Sequence, residues 1–289
     1  MKILGINFAD GKFRAAQKRN TRSMKWFGKI RDVIEFSPSD IDADFREKHG
    51  NILSVKRGAG LWLWKPYFVL RALRTLDEGD FLFYCDAGAV VVRDIQHLVE
   101  DLKNSGQDMM FFALPLLNRQ FCKRETFKAM NIDESFAEKN QIMATQFLLR
   151  KTAETEAFIE EWLAACCDKR AISPDHFCPE VEEFSDFVAH REDQSVLSLL
   201  LAKRGYVPFK DPSQYRVFPW EYGRDGYFFR TPKTCGGRAP VCIVSIRSTS
   251  FPRRFLVLLV KLLLRKLKIY NADFFWKRMG RPTILPAES

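Results

Sequence analysis

The chain holds only four histidines, and its seven cysteines include no Cys-x-x-Cys pair, which excludes a zinc site of the usual spacing. An odd cysteine count with Cys166 and Cys167 adjacent makes no disulfide framework either, and suits thiols kept reduced in a cytosol. No glycine-rich segment ends in Gly-Lys-Ser or Gly-Lys-Thr, so a P-loop is excluded. A run of about 20 apolar residues is also missing, and a membrane-spanning helix is not expected. The first seven residues run straight into Asp10-Gly11-Lys12, which leaves no apolar stretch of signal-peptide length, so export by that route is not expected. Internal repeats and low-complexity linkers are absent from the sequence.

Acidic residues are scarce in one place only. The 289 residues carry 46 Lys plus Arg against 36 Asp plus Glu, a formal charge of +10. Residues 230–289 hold 13 of those cations and just Asp273 and Glu288 as acids, so residues 1–229 are left near −1. A nucleic-acid coat would spread its cations over a whole binding face, whereas here a balanced body is followed by a basic segment. Residues 1–229 are therefore expected to form the domain that carries the chemistry, with 230–289 as a basic appendage. At 46% hydrophobic residues the body can bury a substantial core.

Ile3–Phe8 is a short apolar run stopped by Asp10-Gly11 and reads as a strand. Residues 33–36, Phe81–Cys85, 109–114 and 145–149 read the same way, with a late strand at 241–247. Helical spacing or capping marks 40–48, 67–76, 94–103 and 152–166, and Pro66 sits well at a helix start. Phe81–Cys85 is apolar throughout, as a strand covered on both faces would be. The alternation predicts an α/β fold with a mostly parallel sheet and helices on both faces.

Asp86 follows Phe81–Cys85 directly, and in such sheets ligands gather beyond the carboxyl ends of strands. A carboxylate there can hold a divalent ion bridging a diphosphate, with Gly88 allowing close approach; the bland alternative is a turn before the next apolar run. Upstream, Arg57-Gly58-Ala59-Gly60-Leu61-Trp62-Leu63-Trp64-Lys65-Pro66-Tyr67 puts cations, glycines and tryptophans ahead of a helix. Freed backbone amides together with Arg57 and Lys65 would suit a phosphate pair. The competing reading makes Trp62 and Trp64 core residues and the cations solvated. Further on, His190-Arg191-Glu192-Asp193-Gln194-Ser195 leads into a helical apolar stretch. Glu192 and Asp193 there either cap the helix or supply carboxylates for acid–base work.

These segments, with Phe8-Ala9-Asp10-Gly11 and Tyr84-Cys85-Asp86-Ala87-Gly88, resemble GT-A fold glycosyltransferases of bacterial surface-polysaccharide (capsule or lipopolysaccharide) synthesis over roughly residues 1–210. The resemblance implies a nucleotide-sugar site at Phe8, Ala9, Arg57, Lys65, Asp86, Ala87, Gly88, His190 and Gln194, and a nucleotide diphosphate sugar as donor, often UDP-linked. It also implies Asp193, then Glu192, as the residues facing acceptor and anomeric carbon. Such enzymes bind Mn or Mg through Asp-x-Asp; this chain has Gly88 where the second carboxylate would stand, so Asp86 is the metal ligand implied and its hold on an ion should be weakened. A late histidine that often completes such sites is missing from residues 241–247. His190 is open to a diphosphate or acceptor role or to a purely structural one, and His49, His97 and His176 carry no functional reading.

Within 253–270, Arg254, Lys261, Arg265 and Lys268 share one side of a helix and leave a broad leucine-rich face. With Trp276 in the aromatic and basic patch that follows, they predict a helix lying on an anionic membrane surface. A core or dimer helix is the bland alternative. The expected enzyme is then cytoplasmic, peripheral on the inner face of the cell membrane, with a lipid-linked glycan acceptor. Two other classes compete: a sugar nucleotidyltransferase, which normally has a glycine-rich loop that Asn7-Phe8-Ala9-Asp10-Gly11 does not supply, and a non-catalytic basic adaptor for membrane or nucleic acid.

Overall fold

The computed structural model describes residues 1–245 and 251–287. With only helices of eight or more residues numbered, the chain runs β1 (Ile3–Phe8), α1 (Arg14–Trp26), β2 (Asp32–Phe36), α2 (Trp64–Leu73), β3 (Phe81–Cys85), β4 (Ala89–Val91), α3 (Gln96–Ser105), β5 (Met109–Leu117), β6 (Asn140–Arg150), α4 (Ala153–Cys166) and α5 (Glu192–Lys203). It continues through β7 (Phe228–Phe229), β8 (Ile243–Ser245), α6 (Phe251–Lys266), α7 (Ala272–Met279) and β9 (Thr283–Ile284). The central sheet has the order β2-β1-β3-β6-β5. β2, β1 and β3 are mutually parallel, and β6 runs against both β3 and β5, so β6 alone is reversed.

The alternation of side chains along β3 divides the core. Leu82 and Tyr84 pack on one face with residues of α2, α4 and α5, while Phe81, Phe83 and Cys85 pack on the other with residues of α1 and α3. This is the mostly parallel sheet covered on both faces that the sequence leads one to expect. β6 is much longer than 145–149 and takes in the buried Asn140 and Gln141 at its start. A strand read from apolar residues alone stops at such amides.

A polar stripe on α1 fixes the carboxyl ends of the strands. Gln17, Asn20 and Ser23 are buried at helical spacing. The Gln17 amide donates to the Phe36 carbonyl at 2.8 Å, and the Asn20 amide donates to the carbonyls of Ala89 at 2.9 Å and Asp86 at 3.3 Å. The Ser23 hydroxyl accepts from the Val91 amide at 3.0 Å. A helix face that satisfies exposed strand-end carbonyls in this way removes desolvation penalties that apolar residues would leave.

β4 pairs with β8 as a separate antiparallel ribbon. Ile246 and Arg247 of the expected late strand lie outside the described residues. In the terminal segment, β9 pairs with β7. The Trp276 indole is buried and donates to the Trp220 carbonyl at 2.9 Å, and Lys261 Nζ lies 2.8 Å from Glu221 Oε1, which also accepts the Tyr270 hydroxyl. Trp276 and Lys261 were expected at a membrane surface. The buried indole takes Trp276 away from any such surface, while Lys261 is half-buried in an ion pair that ties the segment to the body. Arg265 and Lys268 are exposed, and the Arg254 side chain lies outside the described residues. On α6, Leu256 and Leu263 are 61% and 58% exposed, with Leu259 and Val260 also open. Among the described residues no helix is long and apolar enough to cross a membrane.

Replacing Asn20 by Ala should lower the free energy of unfolding by roughly 1–3 kcal/mol through loss of its buried hydrogen bonds to Ala89 O, Asp86 O and the Asn7 amide. Urea unfolding of the variant checks this; an unchanged midpoint would show that the stripe is dispensable.

Candidate active site

The expected residues meet at the carboxyl end of the sheet around one buried ammonium. Lys65, near the start of α2, is 2% exposed. Its Nζ lies 2.9 Å from Asp193 Oδ2 and 3.6 Å from Asp86 Oδ1, and donates to the Ala144 carbonyl at 3.0 Å. It is not a solvated cation at the mouth of the site. It sits beneath two carboxylates and compensates their charge. Burial alone would lower the Lys65 ammonium, but Asp193 and Asp86 outweigh it and hold the group above its ordinary value.

Asp86 makes a turn and faces the site at once. Its backbone amide donates to Thr145 O at 2.8 Å and its carbonyl accepts from Ala89 N at 2.9 Å, while its side chain stays partly open and accepts the Tyr84 hydroxyl. Asp193 comes from the first turn of α5 and is buried at 4% exposure. Burial pushes its carboxyl up to about 6, against the pull of Lys65. Its backbone carbonyl is held by the Trp162 indole at 3.1 Å. Glu192 has a left-handed backbone, φ 42°, and pairs with Arg57. Burial raises Glu192 despite that partner. Neither carboxylate is the N-cap of α5: that position is Arg191, whose amide donates to Ser195 Oγ at 2.8 Å, and Glu192 and Asp193 follow it in the first turn.

The tryptophan-rich loop is wound differently from the expected phosphate cradle. The amides of Ala59, Gly60, Leu61, Trp62 and Leu63 all donate to carbonyls within residues 55–60, so they are not free for an anion. The glycines serve packing: a Cβ on Gly58 would come within 2.2 Å of the Trp62 ring, and one on Gly60 within 2.8 Å of Leu53 Cα. Both have positive φ, as do Ala59, Leu61 and Trp62. Trp64 stacks on Phe8 with ring centroids 3.7 Å apart, and its indole donates to the Gly58 carbonyl at 2.8 Å. Phe8 and Ala9 are thus core side chains, with the Ala9 amide donating to Phe36 O at 3.1 Å. Arg57 keeps 58% of its side chain exposed.

Ala87 is buried and Gly88 half-buried beside Asp86. Gln194 donates to Gln141 Oε1 at 2.8 Å, and Gln141 donates in turn to Asn118 Oδ1 at 3.0 Å. His190 is buried, accepts the Lys123 amide at its Nδ1, and is driven by burial down to about 3. A ring that stays neutral is no cation for a diphosphate, and its role in this structure is to hold the chain ahead of α5. Tyr84, Trp162, Asn20 and Gln141 escaped the sequence reading. Tyr84 and Gln141 lie on strands, where an apolar or amide side chain carries no mark of its neighbours.

A divalent ion does not find a ready set of ligands here. Asp86 Oδ1 is already shared by a hydroxyl and, at longer range, the Lys65 ammonium, and among the described residues no three His, Cys, Asp or Glu side chains converge to hold a metal. The residues present do not fit a resident metal site of their own.

No protein-family model and no curated protein matches the sequence. Among solved structures the chain is similar to galactosyltransferase LgtC in complex with donor and acceptor sugar analogs, at 14% identity, covering 88% of this chain and 94% of that one, with a TM-score of 0.46. An active-site mutant of LgtC aligns at 12% identity over 89% and 95% of the two chains, TM-score 0.48. The apo-form glycosyltransferase GlyE of Streptococcus pneumoniae TIGR4 aligns at 14% identity over 98% of this chain and 65% of that one, TM-score 0.45. Likeness this distant leaves function to the residues themselves.

Replacing Lys65 by Met should cost about 3–5 kcal/mol of stability at pH 8, because two carboxylates lose their buried counter-charge. Asp193 in the native state holds its proton more tightly than an ordinary carboxyl of 3.8, so its contribution favours folding at low pH and is lost as pH rises through about 6. The Lys65→Met deficit should therefore shrink on lowering the pH to 5. Denaturant unfolding at the two values tests this, and a deficit independent of pH would break the link to Asp193.

Proposed function

We propose that the chain transfers a sugar from a nucleotide diphosphate sugar, UDP-linked, to a hydroxyl of a lipid-linked or surface glycan, in the manner of the GT-A enzymes of bacterial surface-polysaccharide synthesis that its motifs resemble. The observation that carries this reading is the Asp86–Lys65–Asp193 group at the carboxyl end of β3, with Asp193 lifted to about 6. A carboxylate with its affinity for a proton raised towards neutrality, but still ionised at pH 7, is suited to accept one from a hydroxyl.

In this mechanism the acceptor oxygen attacks the anomeric carbon and its proton passes to Asp193, directly or through Glu192. The bond from the anomeric carbon to the diphosphate breaks, and the leaving diphosphate keeps the electron pair. Arg57, half exposed, paired with Glu192 and lying over the Trp62 ring, is the cation placed to turn onto the leaving charge, while Lys65 steadies the carboxylates. Asp86 lies on the donor side, with Ala87, Gly88 and the Phe8–Ala9 backbone around it and Gln194 towards the acceptor. Mn or Mg, if used, would draw most of its ligands from phosphate oxygens and water rather than from protein.

Residues 230–289 are the membrane-directed part of this proposal. The leucine face of α6 is supported by exposed Arg253, Arg265, Lys266, Lys268, Lys277 and Arg278, each worth on the order of 1 kcal/mol near an anionic leaflet. This favours the inner face of a cell membrane and a lipid-linked acceptor over a nucleic-acid partner.

Release of nucleoside diphosphate from a panel of nucleotide sugars, with a polyprenyl-linked or oligosaccharide acceptor and with or without Mn or Mg, tests the reaction. Asp193→Asn should lose about 100-fold or more of the rate with its circular dichroism unchanged, and the native enzyme's rate should fall below about pH 6 as Asp193 takes up its proton. Pyrophosphate as the product would instead indicate nucleotidyl transfer. For the surface, Leu256→Glu with Leu263→Glu should abolish flotation with vesicles containing phosphatidylglycerol, and the native protein should remain bound in about 0.5 M salt, where purely ionic binding is screened. Release of the native protein by that salt would overturn apolar insertion.

A further inference from the structure

Between Gly11 and Arg31 the chain carries eight Lys and Arg and no Asp or Glu. The stretch belongs to the body and forms the turn before α1, the helix itself and the loop to β2. Gln17, Asn20, Ser23 and Met24 are the buried side of α1. Opposite them Arg14, Lys18, Arg22 and Lys25, all exposed, fall within about 80° of one another on a wheel of about 100° per residue. Arg14 donates to Gln17 Oε1 at 3.3 Å, and among the described residues Lys18, Arg22, Lys25, Lys29 and Arg31 form no ion pair. Like charges three and four positions apart destabilise a helix, and α1 has neither an acid in its first turn nor a side-chain cap to offset them. The cationic face is thus a cost to the fold that an anionic surface outside it would relieve. Where α1 ends, Trp26 is 69% and Phe27 54% exposed. Large rings set among cations suit the headgroup zone of a bilayer, since an indole is apolar over its body and polar at its N–H.

We propose that this face of α1 is a second membrane contact, binding anionic lipid headgroups through Arg14, Lys18, Arg22 and Lys25 and inserting Trp26 and Phe27 at its end. It deepens the membrane reading of residues 230–289 and stands on different residues. Met24 of α1 and Tyr222 pack against one core cluster on the same face of the sheet, and Glu221, next to Tyr222, holds Lys261 of α6 and Tyr270. α1 and the seat of α6 therefore lie on one side of the sheet, where a single lipid surface can meet both. α1 also starts beyond the carboxyl end of β1, the edge of the sheet that carries Lys65, Asp86 and Asp193. A bilayer touching α1 brings that edge close to an acceptor held at the lipid surface. Nucleic acid could meet the same cations and stack on the rings, but the shared side with the leucine face of α6 favours lipid.

Vesicle binding by the full chain tests this, with phosphatidylcholine alone or mixed with phosphatidylglycerol, at about 0.1 M salt, where charges act over about 10 Å. Each cation near an anionic leaflet contributes about fivefold in affinity, so the triple variant Lys18→Gln, Arg22→Gln, Lys25→Gln should bind the anionic vesicles roughly 100-fold less tightly. Its urea midpoint should be no lower than that of the native chain, because only repelling charges are removed. Lipid with brominated acyl chains should quench the native tryptophan emission, and Trp26→Ala should remove most of that quenching. A triple variant that binds like the native chain, or quenching that survives Trp26→Ala, would overturn the contact, as would tighter binding of a single-stranded oligonucleotide than of anionic vesicles. The chain with Leu256→Glu and Leu263→Glu keeps α1 intact, so the two surfaces fail separately. Both variants should lose binding; loss in the leucine variant alone overturns α1, and loss in the triple variant alone overturns α6 and leaves α1 standing.

Discussion

A lysine ammonium at 2% exposure has to be surrounded by negative charge and hydrogen-bond acceptors, and the carboxyl end of this sheet is organised around that requirement. Lys65 brings together Asp86 from the end of β3, Asp193 from the start of α5 and a carbonyl from β6, three segments far apart in sequence. The balance is uneven. Two carboxylates share one buried cation, and burial, aided by the neighbouring Asp86, raises the affinity of Asp193 for a proton against the pull of Lys65. The group that makes the site expensive to fold is thus the one whose carboxyl is suited to the proton acceptance proposed above.

The supports of this arrangement are mostly neutral and polar. Asn20 ties the Asp86 turn to α1, the Trp162 indole holds the Asp193 carbonyl, and Gln194, Gln141 and Asn118 form a relay of amides from α5 to the end of β5. The left-handed run through Gly58–Leu61 lets Trp64 stack on Phe8 and so sets where α2 begins and where Lys65 points. Strain at Ala59, Leu61, Trp62 and Glu192 clusters around the Arg57–Glu192 pair, beside the proposed site.

The basic terminus divides along its own length. Tyr270 and Trp276 fasten it to Glu221 and Trp220, so removing residues 230–289 outright would strip covered aromatic surface from the body. The leucines of α6 are left facing outward. A segment bound on one side and apolar on the other suits the membrane-surface role proposed above.

The order of strands and helices, the position of Asp86 at a strand end and the pairing of basic residues with leucines were all legible in the sequence, because periodicity and local chemistry act over a few residues. So were Asp193 and Lys65 as residues to watch. Their relation was not: Lys65 reads as a surface phosphate binder until the fold buries it 128 positions from Asp193. The same holds for the loop amides turned inward, for a neutral His190, for Trp276 facing the body, and for the unreadable Tyr84, Asn20 and Gln141. Burial and long-range contact set charge state and hydrogen-bond partners, and neither is a property of a residue and its sequence neighbours, so only the tertiary structure decided them.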